Sequence, residues 1–409
     1  MNNYKIEVLP NGLTLVYIKT NKKNAKGAYI YVKIGGLNKE AYINDKKIKV
    51  IDGTAHFIEH LLIERSMYGN MLLEYSKNNI RTNGMTSLLR TEYFFETTKD
   101  FEENLVKLIN MINKPVFKQK DIDEIKDAII KEKLEREDDK YYEYHTSVYE
   151  CLFKELKAPN TLGNIEDIKN MKYDYIKQIY DIFYNPSNQI LVINGNLKYQ
   201  KIKKLIIDTY GKTNKENYII PKFNLTDQIQ VKEKTIKKDI PNNHTRIVYK
   251  VNLSNYTPLE RLKFDWYFGI YIKYFLNEID EEIVKEKTSS NSIGFYNEYI
   301  EDYTLLWFSL QTKQCDKYLN LLKNYFKKIK VPKEDFELAK KMNLIYIIQR
   351  EESSYGQVSP LVDNILMFNY FGIDSPEFIE SLNYEEFTNF INNIDFSNYT
   401  VIKLIKENN

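Results

Sequence analysis

Only four histidines occur in the 409 residues, and two of them stand close together in His56-Phe57-Ile58-Glu59-His60. At 3.6 residues per turn, His56, Glu59 and His60 share one face of a helix. Two imidazoles so spaced can hold one zinc ion, and a carboxylate beside them can take a proton from a water that the metal acidifies. The order His-x-x-Glu-His is the reverse of the commoner zinc-peptidase order. Asp52 and Thr54 are candidate caps for the start of this helix. The alternative is a chance pattern, since three fixed positions in five also arise on helices with no metal.

The flanking segments must hold that helix in place. Residues 13–20 and 27–35 are rich in β-formers and read as a hairpin. A loop over 36–53 leads into the motif helix, and 70–78 reads as a second short helix. Strands are expected at 79–87 and 91–98, with Gly84 marking a bulge or a close backbone approach. From Asp100 the pattern turns helical. Residues 101–113 form one amphipathic helix, stopped by Pro115. Residues 120–139 form another, with Ile122, Ile125 and Ile129 as its apolar stripe. Helices follow at about 140–156, 165–171 and 172–184, then a buried strand at 189–195 and a closing helix at 198–209. Residues 213–226 carry Gly- and Pro-flanked polar sequence without periodicity and read as a linker. The second half repeats the order: strands at 227–236 and 245–252, a long helix at 257–284, strands at 291–300 and 303–311, four helices, and a strand at 398–405. The expected fold is α+β: two similar domains, 1–212 and 227–409, each a largely antiparallel sheet with helices packed on it.

Composition sets outer bounds. The chain is long for one core, and two domains of about 200 residues are the natural division. Fifty-nine basic and 57 acidic side chains leave a net charge of +2, which points to neither nucleic acid nor an acidic membrane as partner. Cys151 and Cys315 stand in no metal-binding spacing. The N-terminus reads as no signal peptide and no run of 18 apolar residues occurs, so a cytoplasmic protein is expected.

Several short segments together resemble the pitrilysin/insulinase-type, or inverzincin, zinc metallopeptidases of the short processing-peptidase kind. They are Asn11-Gly12-Leu13, Gly53-Thr54-Ala55-His56, Asn83-Gly84-Met85-Thr86, and Asn185-Pro186-Ser187-Asn188 ahead of Val192-Ile193-Asn194-Gly195-Asn196. The resemblance covers nearly all of the first half and is weaker in the second, which has no His-x-x-Glu-His. It implies one Zn²⁺ per catalytic chain, with a third ligand from a downstream helix in a segment like Lys126-Asp127-Ala128-Ile129-Ile130-Lys131-Glu132. Glu132 and Glu135 both compete for that place. Glu135 suits the family spacing better, but Glu132 lies about 20° from Ile125 and about 60° from Ile129 around the helix, within the buried stripe. Glu132 is the expected ligand, because Ile129-Ile130-Lys131-Glu132 resembles the family segment without a gap and an inward carboxylate needs a cation to meet it.

The resemblance also implies a role for each remaining candidate. Glu59 would be the general base of peptide-bond hydrolysis. Asn83, Gly84 and Thr86 would lie on the strand against which an extended peptide docks. Tyr296 would match a substrate-reaching tyrosine of the second half, although no arginine precedes it at the family position. Ile125 stands where relatives carry a second glutamate that orients the site. The expected partners are a peptide substrate and a second chain, either a copy of this one or a motif-less relative. The rival reading is a catalytically silent or scaffold subunit, against which the intact His56-Glu59-His60 set argues.

Overall fold

The computed structural model describes residues 4–20, 25–156, 160–211, 218–223, 225–285, 292–311, 314–325, 330–372 and 374–407. Residues 213–217 and 224 of the expected linker lie outside the described residues. The chain divides into two compact units, one of residues 1–138 and 159–221, the other of residues 139–158 and 222–409.

The first unit opens with β1 (Tyr4–Val8), β2 (Thr14–Ile18), β3 (Lys26–Val32), and the small hairpin β4 (Glu40–Ile43) and β5 (Lys46–Lys49). The helices α1 (Thr54–Glu64) and α2 (Met71–Lys77) follow, then β6 (Arg81–Thr86) and β7 (Thr91–Thr97), then α3 (Phe101–Asn113) and α4 (Gln119–Glu137). The next helix, α5 (Tyr142–Leu152), packs on the sheet of the second unit. The first unit resumes with α6 (Ile165–Asn170), α7 (Tyr173–Phe183), β8 (Gln189–Asn194), α8 (Tyr199–Tyr210) and β9 (Tyr218–Ile219), which pairs with β4.

The main sheet runs β1-β2-β8-β3-β7-β6. Strand β8, apolar from Ile190 to Ile193, enters between β2 and β3, parallel to the first and antiparallel to the second. Its residues Ile190 to Ile193 are buried on both faces, which explains an apolar run with no alternation. The helices cover one face, with Leu105, Leu108, Ile122, Ile125 and Ile129 among the core residues they contribute.

In the second unit β10 (Glu233–Lys238) and β11 (His244–Asn252) precede the long α9 (Pro258–Lys285). Then come β12 (Ser292–Ile300), β13 (Tyr303–Gln311), α10 (Cys315–Tyr325), α11 (Lys333–Arg350), α12 (Ser354–Phe368), α13 (Pro376–Ser381), α14 (Tyr384–Asn393) and β14 (Tyr399–Lys406). The sheet order is β10-β14-β11-β13-β12, with β14 parallel to β10 and antiparallel to β11. This matches β2-β8-β3-β7-β6 strand for strand, so the two units share one topology. The sequence-based boundary at 212 differs from the compact units in one segment. Residues 139–158 belong with the second unit because α5 packs there: Tyr149 Oη donates to both carboxylate oxygens of Glu298, at 2.9 and 2.8 Å.

Candidate metal centre

Helix α1 is apolar almost all round. Phe57, Ile58, Leu61 and Leu62 are buried, so the helix runs through the interior and carries His56 and Glu59 there with it. The expected side-chain caps do not form. Gly53 is the N-cap, with φ of +84° and no side-chain cap bond. A β-carbon at Gly53 would stand 2.5 Å from the Leu162 carbonyl oxygen, so both the turn and the packing require glycine. Thr54 Oγ1 instead donates to the Ile51 carbonyl at 2.7 Å, and Asp52 pairs with Lys39.

His56, His60 and Glu132 converge, with one donor atom from each within 4.8 Å of the others. Glu132 Oε2 lies 3.5 Å from His56 Nε2 and 3.7 Å from His60 Nε2. Helix α4 brings it there because Ile122, Ile125 and Ile129 bury the same side of that helix. Glu135 is exposed and pairs with Lys131 at 3.8 Å. Arg65, just past α1, reaches Glu124 of α4 at 3.4 Å and helps fix the two helices.

The donor set fits a zinc ion. Two imidazole nitrogens and a carboxylate oxygen are the ligands this metal takes in sites that keep a fourth position open. Burial, then the charges of His60 and Arg136, push the His56 pKa down to about 3. The ring is therefore neutral at pH 7, as ligation requires. His60 Nδ1 lies 2.8 Å from Glu64 Oε1. That pairing leaves Nε2 for the metal and fixes the ring's orientation.

Glu64 is a residue the sequence reading missed, although it stands four after His60 on the same helix. It supplies an orienting carboxylate in a site where Ile125, at the family's second-glutamate position, is core packing at 1% exposure. Glu64→Gln should leave the fold intact and lower zinc affinity about 10- to 100-fold, the usual cost of losing such a partner. Competition against a chromophoric chelator reads this directly; equal affinities would remove the role.

Glu59 is buried beside the cluster. Thr86 Oγ1, from β6, donates to its Oε2 at 2.7 Å. Burial raises the Glu59 carboxyl pKa; the Thr86 bond and the nearby His60 oppose this, and the charges of Glu132 and Glu64 add to it. Such a shift moves a carboxylate toward the range of an effective base near neutral pH. Gly84 does not mark a bulge, since β6 and β7 pair without a skipped residue from Arg81↔Glu96 to Thr86↔Thr91. It marks a close approach: a β-carbon there would lie 2.3 Å from Ile63 Cδ1 and 3.0 Å from Glu59 Oε1.

The cluster itself contains none of the remaining candidates. Asn83 points to the exposed face of β6 with Arg81 and Met85. Tyr296 belongs to the second unit, on β12, where its ring stacks on Trp307 at 5.1 Å and 15°. The guanidinium of Arg246 lies 5.1 Å from the same Trp307 ring. This arginine comes from β11 instead of the segment before Tyr296, and it is buried, donating to Ser309 Oγ and the Tyr144 carbonyl. His145 lies 3.0 Å from Arg246. His244 is half-buried against the Tyr141 ring.

Comparison with known proteins agrees with this geometry. Residues 15–165 match the insulinase family, peptidase family M16. The Bacillus subtilis protein named uncharacterized zinc protease YmfH is 29% identical over 235 residues, 57% of this chain and 52% of the relative. The chain thus spans about half the length of the curated relatives it matches. An M16-like peptidase structure from Alicyclobacillus acidocaldarius superposes with a TM-score of 0.84 at 14% identity, covering 99% of this chain and 98% of that one. The periplasmic protease PqqL of Escherichia coli superposes with a TM-score of 0.75 at 15% identity, covering 99% of this chain but 48% of PqqL. The first half thus carries an insulinase-family, peptidase family M16, domain, and the chain shares across its length the fold of M16-like peptidases.

Proposed function

We propose that this chain is a zinc-dependent endopeptidase, with His56, His60 and Glu132 as ligands of one zinc ion and Glu59 as general base. The observation that carries this is a buried carboxylate, Glu59, set beside a convergent donor set of two imidazoles and a carboxylate. When bound, zinc supplies Lewis acidity toward water and a peptide carbonyl. The protein's own residues do the rest. Thr86 engages one oxygen of Glu59 and leaves the other to accept the proton of the attacking water. Glu59 then gives that proton to the departing amide nitrogen. Strand β6 is the sheet's edge, paired on one side only among the described strands. An extended substrate adds to that edge through main-chain hydrogen bonds, with Asn83, Gly84 and Thr86 alongside. Stripping metal with a chelator should abolish cleavage of a quenched fluorescent peptide, and one equivalent of zinc should restore it. Undiminished cleavage by metal-free protein would overturn the proposal.

The working form is a dimer, of two copies or of one copy with a motif-less relative. PqqL carries about twice the length of fold seen here, and Tyr296 has no substrate-reaching arginine beside it, since Arg246 is occupied. Light scattering on active enzyme should give a two-chain mass; full activity in a strictly monomeric sample would exclude it.

A further inference from the structure

The shared strand order sets α11 of the second unit in correspondence with α4 of the first. Each is the second helix after its hairpin, β12–β13 or β6–β7. The two helices show different faces to water. On α4 the exposed positions include Asp123, Glu124, Asp127, Lys131 and Glu135. Among the described residues of that helix, Leu134 is the one large apolar side chain exposed. Such a charged outer face suits a surface helix. On α11 the exposed side chains include Leu338, Met342, Ile345, Tyr346 and Ile348, each 45–58% exposed.

These five share one side. At about 100° per residue, Met342, Ile345, Tyr346 and Ile348 all lie within about 80° of Leu338 around the helix. Phe336 and Ile347, which hold α11 in the core of the second unit, lie about 160–180° away, on the opposite side. The helix is therefore apolar front and back. From Leu338 to Gln349 the exposed face carries one charge, Lys341, and one amide, Gln349. Glu334 is exposed one turn earlier. At the rim, Lys273 of α9 has its Nζ 3.7 Å from Met342 Sδ, and Arg350 is held by both oxygens of Asp374, at 3.0 and 3.2 Å.

A helix that is apolar all round is ordinarily buried. Monomeric proteins rarely leave more than a few hundred Å² of contiguous apolar surface in water. Five large side chains, each about half exposed, reach that size, which is of the order of what each partner buries in a standard interface. With one lysine and no acid, the face offers little to a strongly charged partner. It does suit a copy of itself. Where two antiparallel helices cross about a two-fold axis, each residue of one faces its mirror position on the other. An axis between Asn343 and Leu344 sets Met342 against Ile345 of the second copy, Leu338 against Gln349, and Lys341 against Tyr346. The apolar side chains then meet at the centre, and each lysine meets an aromatic ring instead of another lysine. Every pair occurs twice, so the contact closes as a dimer and does not propagate.

We propose that the outer face of α11 is the surface by which two copies of this chain pair, helix on antiparallel helix, with Met342 and Ile345 at the centre. The inference rests on the reading that the working form is a dimer, and it selects a second copy over a motif-less relative as the partner.

Light scattering on the full chain across a dilution series tests it. The unaltered chain should give the two-chain mass. Ile345→Glu should weaken pairing about 30-fold or more, the usual effect at the centre of an interface, with an unchanged circular dichroism spectrum. Asp127→Lys, on the matching face of α4, should leave the mass as it was. A chain carrying both Met342→Cys and Ile345→Cys should form an interchain disulfide with oxidised glutathione in higher yield than either single variant. Should Ile345→Glu lose helix, the cysteine pair decides, and no gain in crosslinked dimer overturns the proposal. A dimer that persists in a folded Ile345→Glu chain overturns this surface and leaves the dimer reading standing. A monomeric unaltered chain overturns both, and neither result bears on the peptidase reading.

Discussion

Glu59→Gln should leave zinc bound at one equivalent per chain and lower peptide cleavage by roughly 10²-fold or more, the usual contribution of a positioned base. Glutamine keeps the size of the side chain and can still accept from Thr86 at Oε1, so the packing of α1 on β6 persists. What it loses is the proton acceptor. The carboxylate also lies too deep to be replaced by bulk solvent, at 7% exposure. Metal content and a progress curve on the same sample check both halves. Cleavage at the wild-type rate would refute the assignment of Glu59 as base.

Glu132→Gln should strip the site, lowering zinc affinity by about 10²-fold or more, with activity falling in step. Glu135→Gln should change neither. The contrast rests on the reach of each carboxylate: Glu132 lies within 4 Å of both imidazoles, while Glu135 turns to Lys131 and solvent. An amide is a poor substitute for a carboxylate ligand, because it brings no charge to a divalent ion. Retention of zinc by the Glu132 variant and its loss by the Glu135 variant would move the ligand by nearly one turn of α4.

Much of this was legible because it is periodic. The spacing of His56 and His60 specifies a helix face, and the isoleucine stripe of α4 turns Glu132 inward by the same arithmetic. The strand runs of both halves alternate or stay apolar over lengths that suit a sheet. What stayed hidden depends on contacts distant in sequence. Nothing in residues 142–152 says that their apolar face seeks the second sheet and not the first. The cap of α1 falls to Gly53 because Leu162 and Gly163 press against it, more than a hundred residues away. Arg246 reaches the Trp307 beneath Tyr296 across neighbouring strands, so no search before Tyr296 could find it. Glu64 was within reach of spacing alone and was masked by attention to the three motif positions.

The placement of β8 has a consequence for biosynthesis. Strands β2 and β3 leave the ribosome well before the strand that belongs between them, residues 189–194. Until it arrives, the first sheet has a gap at its centre, with two unpaired strand edges facing it. Helix α5 faces the same delay in the other direction, since it is made before any strand of the sheet it covers. The first unit can therefore close only once β8 has been made, and α5 must wait for the strands of the second. The long-range pairings make folding slow.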